Sequence, residues 1–217
     1  MKPRRGQYPM DEARQGPAEI VNLSRCPGPA PVVRLAAGLL RDGELVAVPT
    51  ETVYGLLANA DLPAALERLS RAKGRPENRP YTCLVADVAA LEAEQAELSP
   101  AAQRLIARFW PGPLTLVLRV GQGWRGFRLP DHPTAREIVR AAGCRVVAPS
   151  ANRSGSAEPT TAQDVVRELG DRIRLILDGG PCRIGRPSTV VRVSEDICEI
   201  LREGAIRRDE IEKAVTR

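Results

Sequence analysis

Short apolar runs of three to seven residues alternate along the chain with longer stretches that place apolar residues on one helical face. This alternation limits the fold more than any other feature of the sequence. Val32, Val33, Leu35, Ala36, Leu39 and Leu40 share such a face from Pro31, and Gly43 stops it. Leu45 to Val48 reads as a short buried strand, followed by a polar turn and a second apolar run. Helices are then expected over 62–72, 100–109, 133–142, 162–169 and 208–215. Strands are expected over 83–86, 114–120, 145–148, 173–177, 189–193 and 197–201. Irregular alternation of this kind predicts an α/β fold, an open twisted mixed sheet with helices on its faces.

Residues 1–30 are rich in Pro, Gly and Arg and have no apolar period, so they are read as a flexible N-terminal extension, with one domain over 31–217. Aromatics make up only 3% of the 217 residues, which leaves the core to Leu, Val, Ile and Ala. Arg, Asp or Glu interrupts every apolar run, so no membrane span is expected. The five cysteines are widely spaced without a CxxC pair. They read as small apolar residues in a reducing cytoplasm rather than as a zinc site or disulfide framework. The net charge of +5 permits attraction to phosphate-bearing partners without requiring it.

Several chemistries are excluded. The chain has neither a GxxxxGK[ST] phosphate loop nor a GxGxxG turn after a strand. His132 is the sole histidine and no GxSxG elbow accompanies it, so a hydrolase triad is not expected. Between Pro130 and Pro133, His132 reads as a turn residue.

Four polar segments follow strand ends, where α/β proteins place ligands. In Pro49–Gly55 the hydroxyls of Thr50 and Thr52 either cap a following helix or bind a small polar ligand. In Lys73–Pro76 two cations flank a glycine. They suit the polyanionic tail of a nucleotide, or else the carbonyl end of the preceding helix. In Pro149–Gly155, Ser150 and Asn152 either bond one ligand together or satisfy their own turn. The fourth segment, from Asp178–Gly180 to Gly185–Thr189, is glycine-rich and opens into a strand.

In this order the segments resemble the YrdC-like family of threonylcarbamoyl-AMP synthases. The landmarks are VPTETVYG (48–55), KGRP (73–76), FWPGPLTLVL (109–118), RLPDHP (128–133), APSANRSG (148–155), DGG (178–180) and STVV (188–191). The resemblance implies a YrdC-like open sheet with a large concave basic cavity, in a short, single-domain form. It implies synthesis of threonylcarbamoyl-AMP and pyrophosphate from L-threonine, bicarbonate and ATP, for modification of tRNA adenosine. Lys73, Arg75, Ser150 and Asn152 then match the catalytic KxR and SxN pairs. Thr50, Thr52, Arg128 and Ser188 fall where threonine is held, and Thr115 and Arg202 lie on the nucleotide side with those two pairs.

Mg²⁺ would arrive with ATP, since no acidic cluster forms a dedicated cage. Threonylcarbamoyl-transferase proteins would take the product, and tRNA or double-stranded RNA is a further implied partner. The chain departs from the family pattern at Leu57, Leu84, Glu158, Pro187 and Glu203. Two other readings stand beside this one. The first is a non-catalytic paralogue that binds double-stranded RNA or nucleotides, and the second is carbamoyl-adenylate chemistry on another substrate.

Overall fold

A computed structural model describes residues 16–74, 80–195 and 197–216. The strands are β1 (Glu19–Asn22), β2 (Val46–Val48), β3 (Gly55–Asn59), β4 (Cys83–Leu84), β5 (Leu114–Val120), β6 (Gly123–Arg128), β7 (Val146–Val147), β8 (Leu175–Asp178), β9 (Thr189–Ser194) and β10 (Ile197–Arg202). The helices are α1 (Pro29–Arg41), α2 (Pro63–Lys73), α3 (Ala90–Ala93), α4 (Pro100–Phe109), α5 (Pro133–Ala142), α6 (Ala162–Leu169) and α7 (Arg208–Val215). Proline opens α1, α2, α4 and α5, where its missing N–H costs nothing. Glycines in the left-handed conformation, Gly74 and Gly143, end α2 and α5.

The strands form one mixed sheet in the order β1-β8-β2-β3-β7-β4-β6-β5-β9-β10. Strand alternation divides the core into two layers. Leu45, Ala47, Leu56, Ala58, Val147 and Ile176 face one side, with α2, α4, α6 and α7. Val46, Val48, Leu57, Val146, Leu175 and Leu177 face the other, under α1 and α5.

That second helical layer is only half a layer. It covers β8, β2, β3, β7 and β4, and no residue of β5, β6, β9 or β10 joins it. On those strands Leu114, Leu116, Phe127 and Val191 point into the first core. Their neighbours Thr115, Arg128 and Val190 therefore point to the uncovered face, and Thr115 pairs directly with Val190. The missing half-layer is the space in which the cavity forms.

The sequence reading is corrected at three places. Glu19–Asn22, expected to be flexible, is an edge strand running parallel to β8. Ile20 is 53% exposed, so this strand is held by backbone pairing, which apolar patterning does not register. The polar segment after β2 leads into strand β3 rather than a helix, so its hydroxyls cap nothing. Gly123–Arg128 is a full strand paired with β5, hidden from pattern reading by two glycines and two arginines.

Gly204 packs against the backbone of Pro187 and Ser188, two residues that form part of the cavity wall. A Cβ added there would lie 2.3 Å from the Pro187 carbonyl oxygen and 2.5 Å from that of Ser188. Gly204→Ala is accordingly expected to lower stability by about 3 kcal/mol in urea unfolding, because backbone must move to admit the methyl. A loss below about 0.5 kcal/mol would show that the wall gives freely.

Candidate active site

Three of the polar segments are laced together along their backbones. Tyr54 N–H donates to Pro159 O, Ala151 N–H to Tyr54 O, and Leu56 N–H to Pro149 O, each at 2.8 Å. Ile184 and Gly185 N–H donate to Glu51 O (2.8 Å) and Thr52 O (3.0 Å). The Tyr54 hydroxyl donates to Gly180 O at 2.8 Å and accepts from Gly179 N–H at 3.2 Å. Burial pushes this phenol well above its usual range, so it remains a neutral bridge. The VYG and DGG landmarks therefore act as a mutual clasp.

Lys73 ends α2 and is 4% exposed. Its ammonium donates to Ser150 O (2.5 Å), Asn152 O (2.7 Å) and Asn152 Oδ1 (3.3 Å). The Ser150 hydroxyl donates to Asn152 Oδ1 at 2.6 Å, and the Asn152 amide donates to Ser156 O and Ala157 O. Lys73 thus organises the loop of Ser150 and Asn152 while keeping its charge on the cavity wall. Arg75 lies outside the described residues.

Arg128, which also lines the cavity, is 8% exposed and forms an ion pair with Glu51 at 2.7 Å. The same Arg128 nitrogen donates to Thr52 Oγ1 at 2.6 Å and lies 3.5 Å from Thr50 Oγ1. Thr50 and Thr52, expected to meet the amino acid, lie behind Arg128 and are not among the described residues lining the cavity. The Thr52 hydroxyl accepts from the guanidinium, and the Thr50 hydroxyl donates to Val53 O at 2.7 Å. Thr115 and Ser188 share a hydrogen bond of 2.8 Å, and Arg202 donates to Ser188 O at 2.9 Å. Burial lowers Arg202, and the nearby Glu158 charge opposes that shift. His132 caps α5 by accepting from Ala135 N–H at 3.4 Å, and burial lowers its pKa, as suits a structural turn residue.

These walls enclose a cavity of about 630 Å³. Lys73, Thr115, Arg128, Ser150, Asn152, Ser188 and Arg202 all line it. The volume lies in the usual range for small-molecule sites, and among the described lining residues three cations face a single carboxylate, Glu158. Sequence reasoning did not single out Glu51 as a site residue. Its signal was its place between two threonines already chosen, but nothing local tied it to an arginine 77 residues away. Among the described residues no cluster of three His, Cys, Asp or Glu forms a metal cage.

The site is a cation-lined cavity enclosed by the loops of an open α/β sheet, with a charge suited to small anionic ligands. More particularly, the chain belongs to the Sua5/YciO/YrdC family, whose profile, described as telomere recombination, matches residues 38–204. It is 43% identical over 196 residues to threonylcarbamoyl-AMP synthase of Bacillus subtilis, covering 85% of this chain and 57% of that protein. The threonylcarbamoyl-AMP synthase of Pyrococcus abyssi is 42% identical over 193 residues, covering 84% of this chain and 57% of that protein. The chain thus spans a little over half the length of these curated relatives. The crystal structure of P. abyssi Sua5 complexed with L-threonine superposes with a TM-score of 0.83 at 41% identity, covering 90% of this chain and 60% of that one. The fold is therefore YrdC-like.

Proposed function

We propose that the chain is an L-threonylcarbamoyladenylate synthase, a nucleotidyltransferase that supplies an activated intermediate for tRNA modification. The observation that carries this reading is the meeting of the Lys73, Ser150 and Asn152 wall with the Arg128 wall in one cavity. One wall suits a polyphosphate and the other a small carboxylate, at a separation that a single cavity spans.

In this reading Arg128 holds the threonine carboxylate and Ser188 steadies the amino acid. The threonine amine captures bicarbonate as an N-carboxylate with loss of water. A carboxylate oxygen attacks the α-phosphorus of ATP, and pyrophosphate leaves. Lys73, with Arg75, offsets the charge that develops on the departing phosphates. Ser150 and Asn152 hold the reacting groups in line, and Thr115 and Arg202 steady the nucleotide. Mg²⁺ would shield the phosphates. No protein nucleophile is required, because alignment and charge supply the rate enhancement. The work would take place in the cytoplasm, and the product would pass to threonylcarbamoyl-transferase proteins.

Direct contact with RNA draws support from Trp124, which is 38% exposed between Arg119 and Arg192, whose guanidinium carbons lie 5.6 and 5.7 Å from its ring.

Incubation with ATP, Mg²⁺, L-threonine and ¹³C-bicarbonate is expected to yield an adenylate carrying the label. An adenylate without the label would overturn the carbamoylation step.

A further inference from the structure

Arg128 is held in an unusual way. All its described hydrogen bonds use one terminal nitrogen, Nη2, which reaches Glu51 Oε1 at 2.7 Å, Thr52 Oγ1 at 2.6 Å and Thr50 Oγ1 at 3.5 Å. The buried Nε has no partner. Nη1 makes no hydrogen bond with a described residue, so most of the donor fork is unused in a side chain that lines the cavity.

Glu51 is fixed more firmly than the arginine it holds. Its side chain is 1% exposed, its second oxygen accepts from Asp131 N–H at 3.1 Å, and its own carbonyl accepts from Ile184 N–H. The two threonine hydroxyls have a set polarity. Thr50 donates to Val53 O at 2.7 Å, so the proton in the 2.9 Å Thr50–Thr52 contact comes from Thr52. The Thr52 oxygen is thereby left to accept from Arg128. Glu51 Oε1 and the Thr52 oxygen thus both accept from Nη2.

Resting on the reaction proposed above, we infer that Glu51 is a positioning residue, which neutralises and orients Arg128 so that Nη1 stays available to the substrate carboxylate. A guanidinium this buried needs a counter-charge before substrate arrives. Glu51 supplies it through one nitrogen only, and the remaining donors are kept for recognition. Glu51 itself touches no substrate.

The test is Glu51→Gln, which retains size and can still accept from Asp131 N–H. Steady-state kinetics should show the threonine KM raised by roughly tenfold, the ATP KM changed less than about twofold, and kcat near the parent value. In parallel, the side-chain ¹⁵N–¹H signals of Arg128 should be resolved in the parent chain, as restricted rotation requires. They should be averaged in the variant. An unchanged threonine KM, equal rises in both KM values, or Arg128 signals that do not respond would overturn the inference. Absence of threonine-dependent turnover in the parent chain would instead defeat the reaction assigned above, and the Arg128 signals would still decide the role of Glu51.

Discussion

Arg128→Ala is expected to raise the threonine KM by about 100-fold, against a change in the ATP KM of less than about threefold. The asymmetry follows from the roles proposed above: Arg128, at the end of β6, is assigned to the threonine carboxylate, and the phosphates are assigned to Lys73 with the loop of Ser150 and Asn152. Truncation also strands Glu51, 3% exposed, without a counter-charge, at a cost of about 3 kcal/mol in stability. The double variant Glu51→Gln/Arg128→Met removes the stranded charge and should recover much of that stability without recovering threonine affinity. Kinetics and urea unfolding on the single and double variants separate the two effects. Equal increases in both KM values, persisting in the double variant, would place Arg128 in the framework of the fold rather than in recognition.

Lys73→Ala is expected to lower kcat/KM by about 1,000-fold and to weaken ATP binding measurably in calorimetry. Two losses combine in this variant. The cavity loses a cation at 4% exposure, where little water screens it. The carbonyls of Ser150 and Asn152 also lose the ammonium that draws them together. Lys73→Met fills the same volume without the charge and should be equally inactive. ATP affinity equal to that of the parent chain would remove Lys73 from phosphate binding and leave it only the role of holding the loop.

How much of this was legible in the sequence depended on whether the signal was local. Helices α4, α5, α6 and α7 and strand β5 have the bounds expected from apolar spacing, proline starts and glycine stops. Besides the single turn of α3, the elements that escaped include β1 and β6, strands defined by their partners. Glu19–Asn22 contributes little buried apolar surface, and Gly123–Arg128 takes its place through pairing with β5 and β4. The site follows the same division. Lys73, Ser150, Asn152, Thr115, Ser188, Arg128 and Arg202 were recognisable by motif, and all line the cavity. The Glu51–Arg128 pair was invisible because no spacing rule joins residues across three intervening strands. The contacts of Thr50 and Thr52 with the same arginine were equally hidden, since a buried guanidinium takes up hydroxyl oxygens that lie near it only in the fold. The half-covered sheet could not be read either. It depends on α1 and α5 packing together over one half, and helix periodicity does not say which strands a helix will cover.

The most direct test is pyrophosphate release by the purified chain with ATP and Mg²⁺, omitting L-threonine and bicarbonate in turn and substituting L-serine for threonine. Release that requires both, with threonine preferred to serine, is the predicted result. A folded chain that binds ATP yet releases no pyrophosphate above the omission controls would contradict the synthase assignment.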